Sequence, residues 1–171
     1  MVHQKILFTK EECNYLINYK NNGIYRGNGG YSNRNDISYK QWTIFRNNDL
    51  DFLFDKIISF AEISFNVKIE NFKEESWIYQ WEVNDGYSMH RDNIKNRKFI
   101  IGVQLNDEYI GGDLMVDCGD ETLIVDKTIG NCYTFESAIL HGVSPITSGN
   151  RFNVLTFFPT YNIKQNKVSL I

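Results

Sequence analysis

The sequence predicts a single domain that is helical at its start and mainly β thereafter, closed as an antiparallel sandwich or barrel. Three observations predict this. The chain has 171 residues, 42% hydrophobic and 23% charged, which is the size and composition of one ordinary globular unit. Apolar residues recur at three- and four-residue spacings only before Asn66. Beyond Asn71 the chain becomes a series of short β-branched or aromatic runs bounded by Gly, Asn or Asp, with no helical pattern between them, which argues against βαβ units. The expected division within residues 1–171 is helical support and a surface loop over 1–70 and a β core over 74–159.

Each element has a local reason. Thr9-Lys10-Glu11-Glu12 has the Thr-x-x-Glu form of a capping box, in which Thr9 accepts from an early backbone N–H while Glu12 reaches back. Cys13, Leu16 and Ile17 follow on one face, and Gly23 is a stop signal. A second helix is expected from near Asn48, with Asp51 three residues on. It should run through Leu50, Leu53, Phe54, Ile57, Ile58 and Ala61 and end at Asn66. Residues 25–41, rich in Gly, Asn, Ser and Tyr, read as a surface loop, followed by a short strand around 42–45. The expected strands thereafter are residues 76–83, 98–105, 112–116, 122–125, 132–136 and 152–158.

Charge and cysteine usage exclude several classes. A net charge of -3 leaves no basic footprint, so nucleic acid is not an expected partner. Cys13, Cys118 and Cys132 are odd in number, far apart and without a CxxC pair, as reduced thiols are, so neither a disulfide scaffold nor a zinc knuckle is expected. The longest apolar runs, 99–103 and 153–159, are too short to cross a bilayer. Met1-Val2-His3-Gln4-Lys5 lacks a signal-peptide apolar segment. No membrane partner and a cytoplasmic location are the expectations. Twenty Asn and twenty Ile suggest an AT-rich, bacterial or viral genome. The oligomeric state stays open.

Three histidines carry the chemical signal. His3 sits at the chain end. His90 and Asp92 form His-Arg-Asp at the mouth of the first β run, and in an extended segment residues i and i+2 share a face. His141 follows after the 132–136 strand. Two imidazoles and one carboxylate from neighbouring strands make a facial triad with open positions, a geometry that points to non-haem Fe(II). Arg151 stands ten residues after His141, and an Arg facing a barrel interior needs an anion, because a buried unpaired guanidinium is costly. Its planar fork suits a carboxylate. Asp117, Asp120, Glu121 and Asp126 fit no EF-hand spacing and read as a solvated turn. Arg91, Lys95, Arg97 and Lys98 read as a solvated basic rim, and Trp42 and Trp77 as core.

The order of motifs then resembles a known family. Tyr87-Ser88-Met89-His90-Arg91-Asp92, Leu105-Asn106 and Tyr109-Ile110-Gly111-Gly112-Asp113-Leu114 come first. Gly130-Asn131-Cys132-Tyr133-Thr134-Phe135 and the stretch from His141-Gly142-Val143-Ser144-Pro145 to Gly149-Asn150-Arg151 follow. Together they resemble the prolyl 4-hydroxylase-like branch of the 2-oxoglutarate/Fe(II) dioxygenases, over about residues 74–159. The resemblance implies a double-stranded β-helix (jelly-roll) catalytic core with helices packed on one side. It implies Fe(II) on His90, Asp92 and His141, the distal carboxylate of 2-oxoglutarate on Arg151, O2 as oxidant and ascorbate as an optional reductant. The carboxylate ligand Asp92 implies hydroxylation, since halogenating relatives lack it. Gly111-Gly112 is expected as a tight turn.

The chain also departs from that pattern. Trp81 stands nine residues before His90, where relatives usually carry Tyr and its hydroxyl, so either Tyr79 on the same strand face substitutes for it or the co-substrate pocket is built differently. Gln104 occupies a place where some relatives carry Tyr near the co-substrate. The implied substrate is a prolyl residue in a peptide or protein, with residues 25–41 as a lid over it. A free amino acid or small metabolite is the alternative. A nucleic-acid demethylase would carry a second Arg six residues after Arg151, where Phe157 stands. A cupin-like module or a degenerate, non-catalytic dioxygenase scaffold is the contrasting reading without catalysis.

Overall fold

In the computed structural model of this chain, residues 1–28, 39–70, 74–92, 97–160 and 163–165 are described. Their order is β1 (His3–Ile6), α1 (Lys10–Tyr19), a 3-10 turn (Lys20–Asn22), β2 (Ile24–Asn28), β3 (Lys40–Phe45), α2 (Asp51–Phe65), β4 (Val67–Ile69), β5 (Glu75–Trp81), β6 (Tyr87–His90) and β7 (Arg97–Gln104). Then come β8 (Tyr109–Gly111), β9 (Leu114–Asp117), β10 (Thr122–Ile124), β11 (Asn131–Glu136), β12 (His141–Val143), β13 (Ile146–Gly149), β14 (Arg151–Pro159) and β15 (Ile163–Gln165). A seven-stranded antiparallel sheet, in the order β1-β11-β7-β14-β5-β3-β2, faces a four-stranded sheet, β10-β9-β12-β6. Mainly antiparallel strands in facing sheets, with the helices on one outer side, are the expected jelly-roll architecture. No helix is long and apolar enough to cross a membrane.

The capping box forms as the sequence predicts. The Glu12 N–H donates to Thr9 Oγ1 at 3.2 Å, and the Thr9 N–H donates to Glu12 Oε2 at 2.8 Å. The second helix starts at Asp51 rather than near Asn48, because Asn47 takes the local hydrogen bonds. Its Oδ1 accepts from the Asp49 N–H and its carbonyl from the Leu50 N–H, a turn that delays the helix. Asn66 ends it in the left-handed conformation, φ 50°. The first seventy residues are not only helices and loop: β1, β2 and β3 are strands of the large sheet, so residues 24–28 and 40–41 are paired backbone rather than loop. Gly111 and Gly112 have φ of 76° and 63°, the tight turn expected of them.

The large sheet has two different faces. One buries Ile44, Ile78, Ile101, Val103, Val154 and Phe158 against Leu16 and Cys13 of α1 and Leu53, Phe54 and Ile57 of α2. The other looks toward the small sheet. Because opposed residues of an antiparallel pair share a face, the register Gln104–Asn153–Tyr79 and Gly102–Leu155–Trp77 lines up one row of side chains across three strands. That inner face, with Tyr87, Leu114 and Val143 of the small sheet, encloses a cavity of about 400 Å³. Sites for small ligands run roughly 300–1,000 Å³.

Candidate active site

His90 ends β6 and His141 opens β12, and the two are direct cross-strand partners on the small sheet. Their rings lie 4.4 Å apart. Each Nδ1 lies 2.8 Å from the backbone carbonyl two residues earlier, Ser88 for His90 and Ile139 for His141. A carbonyl only accepts, so Nδ1 carries the proton and the lone pair sits on Nε2. Both Nε2 atoms face Asp92, at 3.8 Å from its Oδ1 and Oδ2. Asp92 is the residue two beyond His90, and its own N–H is anchored on the Ser137 carbonyl at 3.0 Å. Tyr87 stacks on the His90 ring at 3.7 Å, and Phe135 packs edge-on against His141.

This donor set fits a divalent first-row metal. Two imidazoles with tautomers fixed by backbone carbonyls and one carboxylate lie with their ligand atoms within 4.8 Å of one another. At 3.8 Å the contacts are too long for hydrogen bonds, so the donors are not spent on each other. Burial pushes the His141 imidazole below its ordinary pKa and His90 adds to this, while the Ile139 carbonyl and Asp92 oppose it. The neutral imidazole is the form that binds metal.

At the other end of the cavity lies Arg151, the first residue of β14, only 1% exposed. Its Nε donates to Gln104 Oε1 at 3.4 Å and its guanidinium sits 5.6 Å from the Trp81 ring centroid. Among the described residues no carboxylate pairs with it. A buried guanidinium in that state is a receptor for an anion.

The other residues singled out in the sequence take different places. Trp81 lines the cavity, but its Nε1–H donates to Asn153 Oδ1 at 2.7 Å, so it is no donor to a ligand. Tyr79 is two residues back on the same face and also lines the cavity. Burial holds its phenol well above its ordinary pKa, with Tyr39, Arg97 and Asp92 among its charged or polar neighbours. Gln104 lies behind Arg151 and outside the cavity wall, and its Nε2 is buried without a partner. Trp77 is not simply core: with Tyr39, Tyr87, Leu155 and Phe157 it forms an apolar cavity wall. Arg97 also lines the cavity, 3.9 Å from Asp92 and with its guanidinium carbon 3.7 Å from the Phe157 ring centroid, rather than belonging to a solvated rim. Asp117 belongs to the exposed β9–β10 hairpin, where its Oδ1 accepts from the Gly119 N–H. Lys95 and residues 29–38 of the expected lid lie outside the described residues.

Sequence reading missed Tyr133 and Asn153 on the inner face. Alternation along residues 151–157 already put Asn153, Leu155 and Phe157 on the side of Arg151. Gly102 inside the 98–105 run was the signal for Tyr133, since a glycine within a strand marks a close approach.

No family model matches the sequence, and no curated protein matches it in sequence. Solved structures do match in shape. A prolyl-4-hydroxylase of Pseudomonas putida superposes with a TM-score of 0.72 at 15% identity, over 92% of each chain. A prolyl hydroxylase of Trichoplax adhaerens, solved with a peptide fragment of the hypoxia-inducible factor oxygen degradation domain, gives 0.75 at 18%, over 95% of this chain and 84% of that one. The chain has their fold. An oxidoreductase of the 2-oxoglutarate/Fe(II) oxygenase family from Burkholderia pseudomallei gives 0.74 at 15%, over 98% and 88%. The likeness spans the helices as well as both sheets, more of the chain than the motifs alone cover.

Proposed function

We propose that the chain is a 2-oxoglutarate- and Fe(II)-dependent dioxygenase that hydroxylates an unactivated C–H bond, with a prolyl residue of a peptide or protein as its substrate. One observation carries the reading: a single cavity holds three convergent candidate metal donors at one end and, at the other, a buried arginine with no carboxylate partner among the described residues. His90, Asp92 and His141 would hold the metal, and Arg151 the far carboxylate of 2-oxoglutarate. When bound, that pair supplies activation of O2, giving succinate and CO2 while one oxygen atom enters the substrate C–H.

The protein supplies orientation and dryness. Backbone carbonyls of Ser88 and Ile139 fix which nitrogen each histidine offers. Cross-strand pairing sets their spacing. Leu114, Ile100, Phe135 and Val143 exclude water between the two ends. The half-buried faces of Trp77 and Phe157, 5.6 Å apart in an edge-on arrangement, are surfaces on which a prolyl ring packs well. The Trichoplax enzyme that shares this fold was solved with a peptide, and a peptide substrate is the reading carried over.

The test is an anaerobic titration of purified protein with Fe(II) and then 2-oxoglutarate, following the visible charge-transfer band of the chelate. A saturable band is expected, absent in His90→Ala and His141→Ala. Iron retained by both histidine variants would overturn the metal assignment, and normal iron binding without a band would overturn the co-substrate. Turnover with prolyl peptides should then couple succinate release to a gain of one oxygen atom, read by mass spectrometry. Succinate release driven only by a free amino acid or metabolite would reject the peptide reading.

A further inference from the structure

The anion end of the cavity contains more than Arg151. Tyr133 stands on β11, and its partner on the neighbouring strand β7 is Gly102. A Cβ on Gly102 would lie 2.2 Å from both Cζ and Oη of Tyr133 and 2.7 Å from Cε2. The phenol end of the ring therefore lies directly over the backbone of β7, at the only residue of that strand without a side chain. On the far side of β7 runs β14, which carries Arg151. Strands lie about 4.7–4.9 Å apart, so a tyrosine on β11 approaches a residue on β14 only by crossing β7, and Gly102 is the gap through which it crosses.

The neighbours of this phenol are known. Arg151 lies close enough to pull its pKa down against the dominant upward effect of burial. A guanidinium has no acceptor, so Tyr133 can take a hydrogen bond from Arg151 but cannot give one to it. Among the described residues none accepts from the Tyr133 hydroxyl. Tyr133 is 2% exposed and lines the cavity. Of the other polar groups near this end, Trp81 donates to Asn153 and Gln104 accepts from Arg151 outside the cavity wall, Tyr79 also lines the cavity, and the Tyr109 hydroxyl is buried outside it without a partner among the described residues.

We propose that Tyr133 is a second ligand-binding residue at this end, its O–H joining the Arg151 fork on the distal carboxylate of 2-oxoglutarate. Gly102 has no side chain so that the ring can reach that position. This rests on the function proposed above. A carboxylate has about four acceptor sites and a guanidinium fork fills two. A neutral donor arriving from the β11 side satisfies a third without adding charge to the buried site.

Equilibrium binding separates this from a packing role. The anaerobic Fe(II) protein is titrated with 2-oxoglutarate and, separately, with 2-oxobutyrate, which chelates alike but lacks the distal carboxylate. Tyr133→Phe keeps the ring over Gly102 and removes only the hydroxyl. It should weaken 2-oxoglutarate about ten- to hundredfold, the range for a hydrogen bond to a charged group, with Fe(II) and 2-oxobutyrate affinities unchanged. Gly102→Ala, which evicts the ring, should lose at least as much 2-oxoglutarate affinity with its circular dichroism unaltered. Unchanged 2-oxoglutarate affinity in Tyr133→Phe, or equal losses for both ligands, overturns the assignment while the dioxygenase reading stands. A wild-type protein that takes up no 2-oxoglutarate overturns both.

Discussion

Arg151→Met separates the two roles that a buried guanidinium can have, holding the fold or holding a ligand. In the ligand-free protein the substitution removes the hydrogen bond to Gln104 Oε1 and leaves that oxygen orphaned, a cost of about 1–3 kcal/mol. It also removes a contact with the Trp81 ring worth about 0.5–2 kcal/mol. Against these stands relief from burying an uncompensated charge, which is several kcal/mol. The terms nearly cancel, so ligand-free stability should change by less than about 2 kcal/mol, whereas deleting a large core side chain costs about 2–5 kcal/mol. The ligand-bound state behaves differently. At a 2-oxoglutarate concentration of about 100 Kd, linkage stabilises the wild type by about 2.7 kcal/mol, or about 5–11 °C for a chain of this length. A hundredfold weaker Kd in the variant cuts the linkage to about 0.4 kcal/mol, a shift of about 1–2 °C. The assay is thermal unfolding under nitrogen with Fe(II), with and without 2-oxoglutarate. A ligand-free loss above about 3 kcal/mol, or a full ligand shift in Arg151→Met, would refute the reasoning.

Other perturbations probe the supports around the site. Tyr87→Ala removes the ring stacked on His90 and should weaken Fe(II) binding several-fold, while Tyr87→Phe restores it; equal loss in both would mean the hydroxyl, not the stack, matters. Arg46 ties β3 to α2 and β5 by ion pairs to Asp51 (2.6 Å), Asp55 (2.5 Å) and Glu74 (2.9 Å). Arg46→Met leaves three carboxylates facing one another and should lower Tm by about 2–8 °C, on the order of 1–2 kcal/mol, with Fe(II) affinity unchanged. Asp113 is held below the usual aspartate pKa, chiefly by its hydrogen bond to Lys127 (2.6 Å), with Lys127's charge, Ser144 and Arg151 helping. A depressed folded pKa means that the unfolded state binds more protons, so this stability is present above about pH 4 and lost as pH falls through the lowered value. Asp113→Asn should flatten that acid limb of a denaturation series by about 1 kcal/mol or less, and an unaltered limb would reject the pair's contribution.

How much of this was legible in the sequence differs by residue. The capping box at Thr9 and the stop at Asn66 were readable because side chain and backbone there answer to neighbours within four positions. The runs that form the long strands β5, β7, β11 and β14 were readable because burial on one or both faces forces a composition. The short strands β6, β8, β12 and β13, of three or four residues each, have too few positions for any period to show. His90 and His141 both lie on such strands, so their pairing across β6 and β12 came only from motif order, never from periodicity. Trp77 and Arg97 were misplaced for another reason. Which face of a seven-stranded sheet meets helices and which meets a cavity is decided by the partner layers, and no local pattern records that choice. Gln104 shows the finer limit: its register with Asn153 puts it on the inner face, yet Arg151 and Asn153 screen it from the cavity.

The two ends of the site belong to different sheets, and this determines what sets ligand length. The proposed metal donors rest on the small sheet, through the β6–β12 pair, and Arg151 and Tyr133, proposed for the co-substrate, rest on the large one. The ends are joined along the chain by the eight residues from Tyr133 to His141 and the ten from His141 to Arg151, and either segment can span roughly 26 Å or more, well beyond the roughly 10 Å between packed sheets. Their separation is therefore held by the side chains packed between the sheets, where Val116, Leu114 and Ile146 meet Ile100, Tyr133 and Phe135. Interiors packed at crystal-like density do not compress by a methylene without cost. Under the proposed function, selectivity for a five-carbon 2-oxo diacid over a shorter or longer one would be a property of this inter-sheet core as much as of the residues that touch the ligand. The cross-strand hydrogen bonds set direction within each sheet, and apolar packing sets the distance between them.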